Sequence, residues 1–201
     1  MRGTNWSRTP TRAAAALLIV ALCAATRPAP ATTLAPFVTL SGADSHVTDA
    51  RCLRITTADE WAATWLEHVG ASAKPKYDLF YNKAGLPVVD FEQCMVIAVF
   101  AGATSNTAGV SAWSGPIEDP EAEVKTPTAA GDDVLRLSWH RYQTGGTDER
   151  GGRQDVTPFG FFIVPRSPAP LVVQDRQMPM GGSRGRIEER ARLPALAEGA
   201  R

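Results

Sequence analysis

Histidines are the residues of this chain that most often carry chemistry, and the spacing of its three is not that of a metal site. Zinc sites take several histidine, cysteine or carboxylate ligands, and motifs such as H-E-x-x-H place two of them on one helical face. His46, His68 and His140 form no such motif, so surface or core-edge histidines are the simpler interpretation. We therefore predict a protein with no catalytic residue, no metal site and no cofactor.

Two cysteines offer a second kind of chemistry. Cys52 and Cys94 could form a disulfide in an exported protein, closing a loop of roughly 40 residues and stabilising the fold by about 3–4 kcal/mol. They could instead be small buried hydrophobic residues. A nucleophilic thiolate would need Cys94 exposed beside His140. Because Cys94 opens an apolar strand, an enzyme is the least favoured class.

The element that must organise the rest is the apolar run from Met95 to Ala101, seven residues without a charge. Apolar side chains at odd and even positions alike predict a β-strand that is buried on both faces. Asp90 and Glu92 are too close in sequence for an obvious pair of catalytic carboxylates. They are predicted to mark the turn into this strand.

One helix is well marked. Thr57 and Glu60 have the spacing of a capping box, and Gly70 is a C-cap. The apolar stripe at helical spacing consists of Trp61, Trp65 and Val69, flanked by Ala58, Ala62 and Leu66. Such a stripe predicts packing on a sheet, although two tryptophans could also form a glycan platform. The residues expected to define the core are Trp61, Trp65, Ile97, Val99 and Phe161.

Apolar runs elsewhere predict about six strands in total. The fold class is therefore α+β: a mainly antiparallel β-sheet with one amphipathic helix packed on it. Val134 to Tyr142 alternates as a strand with one wet face, and Leu171 to Val173 is predicted as a short edge strand. Residues 32–176 are expected to form a single domain. Residues 177–201 are expected to be a disordered C-terminal tail, because their composition offers no core.

The beginning of the chain has the features of a secretory signal peptide over residues 1–31. A basic start precedes an apolar run from Ala13 to Ala25, and Ala29 to Ala31 gives an A-x-A cleavage pattern. A membrane helix needs about 20 apolar residues, so no stable span is expected after removal of the leader. Lipidation at Cys23 is less favoured because Leu22 precedes it. The protein is therefore expected outside the cytoplasm, either periplasmic or secreted.

The charge balance bears on the kind of partner. The leader carries four arginines and no acids, so the remaining 170 residues hold 17 basic and 21 acidic side chains. A nucleic-acid-binding protein would need a basic face. Nucleic acid is therefore not expected as a partner.

Two polar loops are the candidate binding segments, Thr104 to Gly109 and the glycine-rich Tyr142 to Asp155. If the strands before them run the same way, both loops lie at one end of the sheet, and loops held by a rigid sheet often bind partners. The alternative, that both are plain connections, stays open. The residues expected to contact a partner are Asn106, Thr107, Tyr142, Gln143 and Thr144.

Several short motifs, taken in order, resemble the C-terminal domain of the protease complex subunit PrcB and its relatives. They are Asp59-Glu60-Trp61 with Trp65 and His68, Val89-Asp90-Phe91, Met95 to Gly102, Thr157-Pro158-Phe159 and Val164-Pro165-Arg166, within about Arg51 to Val173. The resemblance implies a non-catalytic extracytoplasmic domain whose named relative supports and stabilises a secreted protease complex. It supplies no catalytic residues.

The chain departs from that family in one loop. The family often has Gly-Gly-Tyr after the glycine that ends the strand, where this chain reads Ser105 to Val110. Only Gly109 can stand for the turn glycine. If the family motif forms a partner surface, that surface differs here.

The expected function is a non-enzymatic binding or assembly module that holds a protein partner, such as a protease subunit, at the loop end of the sheet. The alternative is a small-ligand or glycan-binding domain that uses Trp61, Trp65 or Trp113.

Overall fold

The computed structural model describes residues 30–70, 85–112, 123–124, 128–141, 154–177 and 186–197. These residues form one helix, α1 (Ala58–Val69), and twelve strands. The strands are β1 (Thr32–Thr33), β2 (Val38–Gly42), β3 (Ala50–Ile55), β4 (Cys94–Ala101), β5 (Thr104–Ser105), β6 (Thr107–Ala112), β7 (Glu123–Val124), β8 (Asp133–Arg141), β9 (Asp155–Val156), β10 (Phe159–Pro165), β11 (Leu171–Gln177) and β12 (Arg186–Leu193).

The α+β class is confirmed, but the predicted count of about six strands is wrong. Four of the strands are only two residues long, too short to show a periodic pattern. The strands form a four-stranded antiparallel sheet in the order β2-β10-β4-β3 and a six-stranded mixed sheet, with a small β5-β9 pair beside them.

The four-stranded sheet is the middle of three layers. On one face, Met95, Ile97 and Val99 of β4 pack in a core that includes Leu135 and Leu137 of β8 in the six-stranded sheet. On the other face, alternate residues of β4 and β10 pack beneath α1 in a core completed by both tryptophans: Val96, Ala98, Phe100, Phe159, Phe161, Trp61 and Trp65. Strand β4 is therefore buried on both faces, as predicted, because each face meets a different layer.

The five residues expected to define the core are all buried. Ile97, Val99 and Phe161 have no exposed surface, and Trp61 and Trp65 retain only a few per cent of theirs. Asp90 makes the predicted turn into β4. Its Oδ1 accepts the Glu92 N–H at 3.0 Å, and its carbonyl accepts the Cys94 N–H at 2.8 Å.

Helix α1 begins and ends where the sequence predicts. The Thr57 hydroxyl accepts the Glu60 N–H at 3.3 Å. Gly70, with φ of 72°, ends the helix and donates its N–H to the Leu66 carbonyl at 3.0 Å. The Glu60 carboxylate reaches one residue further back than expected, because its Oε2 accepts the Thr56 N–H at 3.0 Å.

The buried face of α1 is rotated from the predicted stripe. Thr64 and His68 are buried beside Trp61 and Trp65. His68 is polar but lies inside because its ring nitrogen has a hydrogen-bonding partner, and a satisfied polar group can be buried. The predicted flanking residues are exposed instead: Ala58, Ala62 and Leu66.

The six-stranded sheet is organised around β8. Strand β11 lies parallel to one edge of β8, and β1 and β6 occupy successive parts of its other edge. Strand β11 runs for seven residues between β8 and β12, so the prediction of a short edge strand there is wrong.

The predicted disordered tail is also wrong over residues 186–193. Strand β12 pairs antiparallel with β11, and Ile187 is only 2% exposed. Arg190 is an extra residue in the ladder, because Val173 pairs with Ala191 while Gln174 pairs with Glu189. This β-bulge interrupts the alternation that identifies a strand. Residues 178–185 and 198–201 lie outside the described residues.

The start of the chain is described only from residue 30, so almost all of the predicted leader lies outside the described residues. Thr32 and Thr33 form β1, parallel to β8, and Leu34 is buried in the core between the two sheets.

Candidate functional site

The two polar loops meet at one end of the molecule. Strand β5, from the first loop, pairs with β9, from the end of the second. The Asn106 N–H donates to the Gln154 carbonyl at 2.9 Å, and Asn106 Oδ1 accepts the Gln154 N–H at 2.8 Å. Thr107 pairs with Arg141, the last residue of β8. The predicted juxtaposition of the loops is confirmed for their described residues.

An open cleft of about 650 Å³ lies at this end. Three segments form it: residues 41–45, the segment that carries Ala103 and Ala108, and residues 154–157. Residues 154–157 lie between the other two, because Asp44 bridges to Thr157 on one side and β5 pairs with β9 on the other. The lining residues are Ser41, Gly42, Ala43, Asp44, Ser45, Ala103, Ala108, Gln154, Asp155, Val156 and Thr157.

One wall of the cleft is held by a hydrogen-bond network around the buried Ser45. The Ser45 N–H donates to the Thr157 carbonyl at 3.1 Å, and the Thr157 N–H donates to the Ala43 carbonyl at 3.0 Å. The Ser45 hydroxyl accepts the Val47 N–H at 3.0 Å and lies 3.0 Å from His68 Nδ1. The wall is therefore tied to both α1 and the segment leading into β10, which makes the cleft preformed.

His68 connects this wall to the aromatic core. Its ring centroid lies 4.1 Å from that of Phe159 and 5.0 Å from that of Phe161. The backbone at Gly42 runs close to the same cluster, since a Cβ there would lie only 2.8 Å from the Phe159 ring. The cleft thus lies directly beside packed aromatic side chains.

The predicted contact residues have other roles or lie outside the described residues. Asn106 has a φ of 56°, a conformation that asparagine tolerates better than most residues, and its side chain joins the two loops. Thr107 is buried. These two residues hold the loop end rather than line the cleft. Tyr142, Gln143 and Thr144 lie outside the described residues.

The three histidines do not form one cluster, although the His46 N–H donates to the His68 carbonyl at 2.9 Å. His68 is in the core, whereas His140 is exposed on β8 with its Nε2 3.0 Å from the Ser111 hydroxyl, and His46 is exposed. Across the part of the chain that is described, no three histidine, cysteine or acidic side chains are arranged to hold a metal ion.

The tryptophans of α1 are unsuited to a glycan platform. Both are buried against Phe161, and the Trp61 Nε1–H donates to the Pro87 carbonyl at 2.9 Å. A sugar would need an exposed ring face. Trp113, the third candidate, lies outside the described residues.

Of the two possibilities that the sequence leaves open for the cysteines, the disulfide is excluded, because both are free thiols. Cys52 pairs with Val99, five residues along β4 from Cys94, which corresponds to about 17 Å at roughly 3.4 Å per residue. The two also point to opposite faces of the sheet, since neighbouring strand residues alternate. A disulfide needs Cα atoms within about 7 Å. The alternative fits Cys52, which packs partly buried against the core between the sheets.

Burial makes Cys52 a pH-dependent contributor to stability. It raises the pKa of this thiol from 9.0 to about 11, an effect that Arg190 opposes and Asp175 reinforces. The unfolded thiol ionises first, so the contribution is complete below pH 9 and is lost as the pH rises towards 11.

We expect urea unfolding to show a smaller loss of stability between pH 8 and 10.5 in Cys52→Ala than in the wild type. Cys94→Ala is the control, and equal losses in all three proteins would contradict this assignment.

The two predicted binding segments contribute Ala108, Gln154 and Asp155 to the cleft, and its other lining residues were not predicted. The sequence marks Asp44 to Asp49 only as a polar loop, and nothing local shows that Asp44 bridges to Thr157, more than 100 residues away in sequence. The one usable signal was polar loop composition, which identified the correct end of the sheet and three of the lining residues.

No known protein family, curated protein or solved structure matches this chain. Among the described residues, no helix has both the length and the apolar character needed to cross a membrane.

Proposed function

We propose that this protein is a non-enzymatic extracytoplasmic module that binds a protein partner at the loop end of its middle sheet. The observation that carries the proposal is the preformed cleft at that end, built from three chain segments and braced by Ser45 and His68. The signal-peptide features of residues 1–31 support the location. The resemblance to PrcB supports a role in holding or stabilising a secreted protease complex.

An exposed apolar patch at the far end of a strand that leads to the cleft favours a protein as the partner. Strand β2 is an edge strand; Phe37, directly before it, is 68% exposed, and Val38, its first residue, is 45% exposed. Ser41 and Gly42, at the other end of β2, line the cleft. Gly42 lies about 13 Å from Val38 at roughly 3.3 Å per residue. Exposed aromatic side chains are typical of the anchor positions of protein interfaces. An extended partner segment could run along β2 into the cleft.

A small polar ligand is the second candidate. The cleft volume of about 650 Å³ lies within the range of small-molecule sites, about 300–1,000 Å³. Such a ligand would occupy the cleft without reaching Phe37, which gives a direct way to separate the two functions.

Site-specific photo-crosslinking in the producing cells tests the protein partner. Ala103 is exposed in the cleft lining, and Leu66 is 62% exposed on the outer side of α1. A benzoylphenylalanine at position 103, but not at 66, is expected to capture one discrete protein. Phe37→Ala is expected to reduce that capture about tenfold, because loss of an aromatic anchor costs 1–2 kcal/mol or more.

Leu66→Ala is the matched control, since it removes an equally exposed apolar side chain from another surface and should leave capture unchanged. Equal capture from both positions, or capture insensitive to Phe37→Ala, would contradict binding along β2. Absence of any captured protein would remove the protein partner and leave the small-ligand candidate.

A further inference from the structure

The middle sheet has two edge strands, β2 and β3, and the two differ in how they are protected. Strand β3 carries Arg51 and Arg54, and the Arg54 guanidinium donates to the Pro194 and Ala169 carbonyls at 3.1 and 2.9 Å. Strand β2 contains neither a charged residue nor a proline. Charged side chains, prolines and covering segments are the devices that keep an edge strand from pairing with another chain. Strand β3 has two of these devices, whereas the sequence of β2 has none.

The hydrogen bonds of the sheet show which main-chain groups of β2 face outward. The Phe37 N–H donates to the Ile163 carbonyl at 2.8 Å, so Ile163 and the residues that alternate with it in β10 direct their main-chain groups towards β2. The β2 residues opposite those positions are Val38, Leu40 and Gly42. Thr39 and Ser41 alternate with them, so their N–H and C=O groups point away from the sheet.

Thr39 marks the open part of this edge. It is exposed, and no described residue shares a hydrogen bond with its outward N–H or C=O. Strand β6 approaches β2 at the cleft end, since a Cβ on Gly109 would lie 3.6 Å from the Gly42 nitrogen, but no ladder joins the two strands. An edge with unpaired main-chain donors and acceptors is a template for another strand.

We propose that the protein partner binds by adding a strand to the free edge of β2, with main-chain hydrogen bonds to Thr39. This inference rests on the proposed function and adds to it the mode of binding and the chemistry of the partner segment. Thr39 has one donor and one acceptor facing outward, and an extended chain presents the matching pair. Exposed main-chain groups of this kind supply affinity in strand addition, while the side chains beside them supply specificity.

The surroundings of Thr39 define the partner segment. Val38 lies on the same face of the sheet as Ile163, which packs against the core beneath α1, and Val38 is 45% exposed. A partner residue beside Val38 is therefore apolar, because it buries surface on that face. Strand β2 offers no charge to pair with, so the segment along it is uncharged. Beyond Thr39 the segment reaches the cleft, which Ser41 and Gly42 line.

Amide hydrogen exchange of the free ¹⁵N-labelled protein tests the open edge. The Thr39 N–H is expected to exchange about a hundredfold faster than the Leu40 N–H, because only the latter is directed into the sheet. A Thr39 N–H as protected as that of Leu40 would mean that the edge is already paired, and would overturn the proposal.

Two variants at position 39 test the main-chain hydrogen bonds themselves. Thr39→Pro removes the outward N–H and leaves the hydrogen bonds between β2 and β10 in place, and proline is tolerated at such positions of edge strands. Thr39→Ala is the matched control, because it removes the side chain and keeps the N–H. Capture by benzoylphenylalanine at position 103 is expected to fall about tenfold in Thr39→Pro and to stay unchanged in Thr39→Ala.

Urea unfolding reports whether Thr39→Pro is folded. If it is not, Thr39→Lys replaces it in the same comparison, because a lysine on an edge strand disfavours pairing with another chain. Its capture is expected to fall as well, again with Thr39→Ala unchanged.

The outcomes separate failure of this inference from failure of the proposed function. Capture that is unchanged in the folded proline or lysine variant, or that falls equally in Thr39→Ala, overturns strand addition and leaves the protein-binding function in place. Absence of any captured protein in the wild type overturns the protein-binding function, and strand addition falls with it.

Discussion

Replacing Phe161 with alanine is expected to lower the free energy of unfolding by about 3–5 kcal/mol, the range for deleting a large buried aromatic side chain. The Phe161 ring has no exposed surface. It packs edge-on against Trp61 and Phe100, with ring centroids 5.0 and 5.7 Å away, and lies 5.7 Å from Trp65. Several rings around one position cannot all move in to fill the space, so a cavity remains.

Phe37→Ala is the matched control, because it deletes the same side chain from a position that is 68% exposed. Its stability should stay within about 0.5 kcal/mol of the wild type. Urea unfolding followed by tryptophan fluorescence measures both variants. A loss below about 1 kcal/mol in Phe161→Ala would mean that α1 does not pack on the middle sheet as described.

The aromatic core around Phe161 also supports one wall of the cleft. Phe161 and Phe159 support the His68 ring, and His68 lies within hydrogen-bonding distance of Ser45 in the cleft wall. The cleft is thus built directly on buried aromatic side chains of the core. A site supported in this way loses less entropy when a partner binds, because the wall is already ordered.

The sequence was sufficient for the elements whose local patterns agree with their surroundings. Strand β4 reads as buried on both faces because it lies between two layers, and α1 carries its own cap residues. The rotation of α1 was not predictable, since burial of His68 depends on Ser45 from another segment. The cleft was not predictable for the same reason, because the 154–157 segment joins Asp44 on one side and β5 on the other through long-range pairing.

Strand β12 was not predicted from the sequence for a different reason. Its eight residues include five charged side chains, a composition more typical of a solvated segment than of a strand in a sheet. The structure accommodates them by pairing. Arg190 Nε lies 2.9 Å from Asp175 Oδ2, with the guanidinium over the Trp139 ring, and Arg192 Nη1 lies 2.7 Å from Asp132 Oδ2. These partners lie in β11, in β8 and directly before β8, so they are invisible in the local pattern.

Ending the chain after Gln177 is therefore expected to destabilise the protein by more than about 3 kcal/mol. Burial of Ile187 alone is worth about 1.5–3 kcal/mol. The deletion also leaves Asp175 and the buried Asp132 without their arginine partners and exposes the edge of β11. Urea unfolding of the truncated and full-length proteins measures the difference.

Two comparisons keep this prediction decisive if the truncated chain fails to fold. Ending the chain after Ala197 keeps all of β12 and should change stability by no more than about 0.5 kcal/mol. The full-length variant Ile187→Ala should lose about 2–5 kcal/mol, since Ile187 is 2% exposed. If residues 186–193 were disordered, none of the three changes would alter the free energy of unfolding. A large loss after truncation at Gln177 and in Ile187→Ala, with almost none after truncation at Ala197, requires residues 186–193 to be an integral strand of the six-stranded sheet.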